Sequence, residues 1–493
     1  MKKIFFNIIL IAGVLLLPQA CSDELDVTPT QSVAEADVFT TTRNAWGAVN
    51  GIHRTMFQQA GSMNNAGHGA HMIHNDFMGD DLVPAAWQWF VRSSRWQEHD
   101  NENSGHIADR WRLYYRIIAN ANMIIHNIEG ADGPAGDREF ILGQALAYRA
   151  FSYHNLVQFY GHRYEAGATN SQLGVPLVLE PTTEGLPRST VEEVYSQIVQ
   201  DLDEALSLLE GKEVDWDTQA PKSHITHDVA SGMRARVALT MGDWGNAASY
   251  ANQARQGNVL MSQAQMLEGF SDHGNPEFMW ASRQTEEHTT YFHSFFAFMS
   301  YNFNSTNIRT SPKAINSQLY HQIPDTDIRK EHWEETAEGA RERYDMPGNA
   351  VDYHAFKFRA AGSGDSRGDI PFMRTAEMYL IEAEALARDG QDGQAAQVLY
   401  DLISTRDDEY ELSTNTGEDL IEEIMIHRRV ELWGEGHRWF DLKRLDLPLD
   451  RTGTNFNPSV VVLMEYEAGG PLWVSLIPRR ELEANDEVVQ NVH

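Results

Sequence analysis

Cysteine is almost missing from this chain. Cys21 is the single one in 493 residues, so an intrachain disulfide, a cysteine-ligated zinc finger and an iron–sulfur cluster are all excluded. Basic residues are scarce beside acidic ones: Lys+Arg number 39 against Asp+Glu 71, a formal charge of −32. So negative a chain repels phosphate backbones, which argues against general nucleic-acid binding. It also argues against docking onto anionic lipid through a basic face. By composition it suits neutral ligands or cations. Beyond Leu17 no apolar run approaches membrane-spanning length. A nucleotide-binding glycine loop, a nucleophile elbow and an HExxH metal motif are absent too. No cofactor is implied. What is present is a 42% hydrophobic composition, ample for a packed core.

The first 21 residues read MKKIFFNIILIAGVLLLPQAC. Two lysines precede an apolar stretch, and Pro18-Gln19-Ala20 leads to the lone cysteine, which directly follows a small residue, the pattern of a secretory signal. Residues 1–20 are therefore expected to be a signal peptide. Cys21 resembles the cleavage and acylation site of a bacterial lipoprotein, where acyl chains would anchor the mature N-terminus, each buried CH₂ contributing about 0.8 kcal/mol. Residues 21–30 read as an acidic tether, with Asp23, Glu24 and Asp26. That stretch resembles the surface-export signal of Bacteroidetes lipoproteins. The rest, 31–493, reads as a single domain with parts 31–230 and 231–493.

Helical periodicity then dominates. Residues 44–58, 107–128, 139–160 and 189–210 each carry an apolar stripe; Ser189 or Thr190 caps the last, and Glu192 and Glu193 suit its positive start. Two segments, 230–255 and 379–403, repeat one another. With Gly242 aligned on Gly390, Ala235 matches Ala383, and Ala247 and Ala248 match Ala395 and Ala396. Small residues at those offsets let two helices approach closely, and the glycine turns the chain between them. This is tetratricopeptide logic. The fold class expected is all-α, a scaffold of tetratricopeptide-like helix pairs with long irregular insertions and a few short strands.

The irregular segments are 60–105, rich in glycine and histidine and then tryptophan, and about 256–372, rich in Gly, Asn, Ser, Thr and aromatics. Long loops in a compact protein are usually functional. A sugar ring offers an apolar C–H face with a rim of hydroxyls, matched by flat aromatic surfaces beside polar side chains. The two segments supply both: Trp87, Trp89 and Trp96 with Asp80, Asp81 and Arg92, and Tyr291, Phe292 and Tyr301 with Asn302. The alternative for each ring is packing in the core or on a partner. For a metal, the weak candidates are His71, His74, Asp76, Asp80 and Asp81; a polar loop is the alternative. The dense charges of 427–445 and the glutamates Glu377, Glu382 and Glu384 invite a catalytic reading. An ion-pair network tying helices together, with Trp433, Trp439, Phe440 and Leu442 packed beneath, is the expected one.

Several phrases together resemble the SusD/RagB family of Bacteroidetes surface glycan-binding lipoproteins: QALAYRAFSYHNLVQFYG followed by GVPLVLEP, YSQIVQDLDEALSLL, ARVALTMGDWGNAA, DIPFMRTAEMYLIEAEALARDG, HRRVELWGEGHRWFDLKRL and SLIPRRELEAND. They run in the family's order along nearly the whole chain. The resemblance implies an all-α tetratricopeptide-like core, no catalysis, and a lid on a SusC-like TonB-dependent transporter in the outer membrane. A ligand, usually an oligosaccharide, would be captured there for import, at loops from the two aromatic segments. The competing readings are a glycan-hydrolysing surface enzyme and a peptide-binding scaffold.

Overall fold

A computed structural model describes residues 35–62, 65–212, 221–287, 294–344 and 346–493. Helices dominate. In chain order the principal ones are α1 (Thr42–Thr55), α2 (Gly67–Met78), α3 (Gly105–Asn127), α4 (Ala135–Tyr160), α5 (Val191–Leu209), α6 (His227–Met241), α7 (Trp244–Arg255), α8 (Thr306–Thr310), α9 (Thr375–Arg388), α10 (Asp392–Ile403), α11 (Glu418–Glu431) and α12 (Arg438–Arg444). Several of their starts are fixed by side chains that accept otherwise orphaned backbone N–H groups. Thr41 caps α1, Ser104 caps α3 and Thr226 caps α6. Thr190 and Glu193 form a reciprocal capping box at α5.

The repeat materialises as two helix pairs. Gly242, at φ +70°, ends α6, and Gly390, at φ +74°, follows α9. A left-handed turn of this kind is strained for any residue with a Cβ. Ala247 and Ala251 of α7 and Ala395 and Ala396 of α10 are buried. α7 packs on both α6 and α9, so the two pairs stack. Upstream, α3, α4, α5 and α6 pack side by side in succession. Most of the apolar stripes merge into one large core running from Ala45 to Val488, and a second core joins α9, α10 and α11 through Ala383, Leu399 and Ile424; each fully buried Ile, Leu or Phe contributes about 1.5–3 kcal/mol. Among the described residues no helix is long and apolar enough to cross a membrane.

The chain departs from expectation at 67–78, read as a glycine-rich irregular stretch. It is a helix, α2, and it is buried along its whole length. Its glycines mark close approach: a Cβ on Gly67 would lie 2.3 Å from the Met56 carbonyl oxygen.

Short strands stitch the irregular segments down. β1 (Leu82–Pro84), β3 (Lys313–Ile315), β5 (His354–Ala355) and β4 (Trp333–Glu334) form an antiparallel sheet in that order; β2 (Phe278–Ala281) pairs with β6 (Pro371–Arg374), and β7 (Leu449–Asp450) with β8 (Glu465–Tyr466). The register Leu82↔Ile315, Val83↔Ala314, Pro84↔Lys313 joins the two aromatic segments singled out above. A small core of Val83, Ala314, Phe456 and Val461 lies against these strands.

Candidate functional site

The densest charge in the chain is spent on structure. Arg428 Nε donates to Asp441 at 2.8 Å, and Arg444 bridges Asp441 (2.8 Å) and Glu384 (2.7 Å). Arg374, fully buried, reaches Glu277, Glu431 (2.9 Å) and Glu435 (2.7 Å). Arg406 joins Glu277 at 2.6 Å, and Arg329 joins Asp327 at 2.5 Å and Glu431 at 3.2 Å. Burial alone would raise the Glu435 carboxyl, but the Arg374 and Lys357 charges bring it down to about 2. Glu377 sits on Arg236 at 2.6 Å and Glu382 on Arg255 at 2.5 Å. A cavity of about 90 Å³ lies among Phe151, Arg236, Glu377, Arg428, His437 and Asp441. Its carboxylates Glu377 and Asp441 are arginine-paired and held below their usual range despite burial, the opposite of what a general acid requires.

The histidine and aspartate candidates for a metal are corrected by the same network. Asp80 accepts from Arg438 at 2.5 Å and Asp81 from Arg429 at 2.6 Å; arginines brought from about 350 residues away neutralise them, so neither belongs to a metal site or a ligand rim. Asp76 is buried and accepts from the Gly436 N–H at 2.8 Å, and burial pushes its carboxyl up. His74 Nδ1 lies 2.6 Å from the Ser93 hydroxyl, and its ring stacks on His106 with centroids 3.4 Å apart. Burial, reinforced by the cation of Arg110, pushes His71, His74 and His106 well below the ordinary 6.5. A guanidinium among them disfavours a metal cation. Among the described residues, the three-membered set close enough to share an ion is Asp272, His273 and Asp369. There Arg283 Nη1 lies 2.8 Å from His273 Nδ1, where a cation would have to sit.

The tryptophans separate into two kinds. Trp96 is 1% exposed, its Nε1 donates to the Met78 carbonyl at 2.9 Å, and its ring packs on Trp473 and Tyr466. It is a core residue, which corrects its candidacy. Trp87 and Trp89 are 53% and 42% exposed. Exposed apolar surface can mark an interaction site where it forms a patch, which makes this pair the candidate surface. Their loop is clasped to the second aromatic segment. Ala85 N–H donates to the Pro312 carbonyl (3.3 Å); the Ser311 hydroxyl lies 3.2 Å from the Ala86 N–H and 2.9 Å from its carbonyl oxygen; Gln88 Nε2 donates to Thr310 Oγ1 at 2.9 Å. Behind it the buried Lys313 amine donates to Asn307 (2.6 Å) and to the Ser311 carbonyl (3.1 Å), and burial pulls that amine down to about 7. Arg95 props Trp87 from one face, 4.3 Å from the ring centroid, while donating to the Val460 and Ser459 carbonyls. Arg92 is exposed and pairs with Glu98 at 2.8 Å.

In the second segment Tyr301 is half-buried, its ring 5.0 Å from Tyr344 and 5.2 Å from Phe356. Asn302 is corrected: its amide brackets the Ala360 backbone, accepting from the N–H at 2.8 Å and donating to the carbonyl at 2.9 Å. Tyr291, Phe292 and Cys21 lie outside the described residues. Sequence reasoning missed Gln88, Arg95 and Thr310, since nothing in their local pattern announces that 85–90, 309–312 and 459–460 meet.

Compared with known proteins, residues 240–493 match the model of the SusD family, and residues 52–239 match one described as starch-binding and associating with the outer membrane. The chain belongs to the SusD family. A SusD-like protein of Formosa agariphila, P38, is 23% identical over 99% of this chain and 98% of its own. Among solved structures, a SusD-like carbohydrate binding protein from Bacteroides vulgatus is 28% identical with a TM-score of 0.80, over 91% of this chain and 98% of its own. A laminarin binding SusD-like protein shares the fold at 19% identity, with a TM-score of 0.70 over 92% and 99%.

Proposed function

We propose that this SusD family chain is a non-catalytic binding lipoprotein of the cell surface. It captures a polysaccharide or oligosaccharide on the platform of Trp87 and Trp89 and passes it to a SusC-like TonB-dependent transporter. Acylated Cys21 holds it to the outer membrane. The observation that carries the binding reading is the exposed tryptophan pair, set on a loop fixed from two sides, while the acidic residues that could serve hydrolysis are matched to arginines. Flat, pre-positioned rings meet a sugar face without first paying an ordering cost. The outer-membrane and starch-binding description of the matching family model and the carbohydrate-binding name of the Bacteroides vulgatus relative support the same reading. Tyr301 is a second, half-buried contact on this account. Arg92 is a rim contact.

Affinity electrophoresis against a panel of polysaccharides tests the proposal. At least one polymer is expected to retard the protein, and Trp87→Ala and Trp89→Ala should each relieve that retardation. Retention by both variants equal to the parent protein would reject the platform. Release of reducing ends by the purified protein, abolished by changing one carboxylate, would replace binding with hydrolysis. The anchor and the transporter are tested separately: a Cys21→Ala chain should lose radiolabelled fatty acid, and the native protein should co-purify with a barrel from detergent-solubilised outer membranes.

A further inference from the structure

The chain is strongly acidic, about one residue in seven being Asp or Glu, yet the segments that build the platform contain none. No carboxylate occurs in 82–97, which holds Trp87 and Trp89, in 294–324, which clasps it, or in 451–464, whose carbonyls anchor Arg95. The same segments carry Arg92 and Arg309, both exposed, and Arg95, whose guanidinium lies over Trp87. Arg92 is neutralised by Glu98. Arg95 and Arg309 are not: among the described residues neither has a carboxylate within ion-pair distance. Arg95 spends its donors on the carbonyls of Ser459 and Val460 and keeps its charge beside Trp87. Arg309 is exposed, next in sequence to the Thr310 that holds Gln88, and its guanidinium makes only long contacts to the Ser305 carbonyl (3.4 Å) and Thr306 Oγ1 (3.5 Å). Arginines elsewhere in the molecule are commonly matched to carboxylates at 2.5–2.9 Å.

One uncompensated guanidinium on an exposed ring, and a second on the segment that clasps the same loop, are the donors that a carboxylate or a sulfate ester meets. We infer that the polysaccharide this platform takes is a polyanion, its sugar faces stacked on Trp87 and Trp89 and its acidic substituents directed to Arg309 and to the field of Arg95. The inference rests on the platform being the glycan site. The overall charge does not forbid such a ligand. At physiological ionic strength the screening length is about 8 Å, so a chain of sugars lying on the platform experiences the local cations rather than the distant acidic surface. The composition-level expectation of neutral or cationic ligands is thereby revised for this one surface.

The test uses matched polymers: polygalacturonate with its fully methyl-esterified form, a sulfated galactan with its desulfated form, and laminarin as a neutral glucan. The expected result is that one acidic polymer retards the full-length protein at least 10-fold more than its uncharged counterpart, and that raising salt from 0.05 to 0.5 M weakens retention. Arg309→Gln should cut that retention at least 3-fold, and Trp87→Ala should abolish it. Which acidic polymer binds separates carboxylate from sulfate recognition. Equal or stronger retention by an uncharged polymer, or salt-insensitive retention unchanged by Arg309→Gln, overturns the polyanion inference and leaves the glycan-binding platform standing. Absence of retention by all five polymers overturns both. The salt dependence of the unsubstituted protein decides the matter even should the Arg309→Gln chain fold poorly.

Discussion

The molecule uses arginine and tryptophan in two contrasting ways. In the joint where α9, α11 and β6 meet, Arg374, Arg406 and Arg329 are buried, and each is matched to glutamate or aspartate side chains; Trp433 and Trp439, in the same charged segment as Glu431, are buried too. At the platform, Arg95 and Arg309 keep their charges unmatched and Trp87 and Trp89 keep their rings wet. Desolvated charges need partners inside the fold, carboxylates in the joint and carbonyl or amide oxygens at Arg451 and Lys313. Hydrated ones need no match, and so they remain available to something that arrives from outside. On the proposed reading, scaffold and site differ in whether a charge is spent inside the fold or left to solvent, not in residue type.

The contrast breaks most severely through acid. His53, His99 and His154 are pushed by burial to about 3, and His68, His71, His74 and His106 lie well below 6.5 for the same reason. Their folded values lie beneath the unfolded one. Between pH 6.5 and 3 the unfolded chain therefore takes up protons that the folded chain refuses, and stability falls as pH drops through that window. The loss is up to about 1.4 kcal/mol per pH unit for each histidine. Urea midpoints at pH 7.5 and pH 5 should differ sharply, and a His99→Gln, His154→Gln chain should show a shallower dependence.

Next in size is the joint itself. Arg374→Met leaves Glu277, Glu431 and Glu435 short of a buried partner, and a loss of about 3–5 kcal/mol is expected in denaturant titrations. Trp96→Ala empties core volume against Trp473 and should cost about 3–5 kcal/mol. Its neighbours give the smallest stability effect: Trp87→Ala and Trp89→Ala should leave the denaturation midpoint nearly unchanged while costing roughly 1–3 kcal/mol of polysaccharide affinity, as at other stacking surfaces. A stability loss at Trp87 as large as that at Trp96 would erase the distinction between the two kinds of ring.

The scaffold was legible because its determinants are local. Glycine at the turn, alanine at fixed offsets and a threonine–glutamate capping box act within a few residues of one another. The charged 427–445 segment was open to a catalytic reading from its density, and the mixed signs together with the family resemblance favoured the ion-pair network that the fold shows. Helix α2 was not, because Gly67 reads as a helix breaker when its reason for being there is the Met56 backbone beside it. Trp96, Asp80 and Asp81 were assigned to the site, since their burial depends on Trp473, Arg438 and Arg429, all more than 340 residues further along. Trp87 and Trp89 stood out through aromatic density in a stretch without helical period. The missing carboxylates around them were written in the sequence as well, but they acquire meaning only once the fold shows that the three acid-free segments are neighbours.

That neighbourhood carries one more consequence. The loop bearing Trp87 is secured by Thr310, Ser311, Ser459 and Val460, partners contributed from far down the chain. A newly made polypeptide that stops short of residue 460 holds the rings but has nowhere to set them. Retention on a polysaccharide column would then report complete maturation of the molecule, and truncated or misassembled copies would pass through such a column unheld.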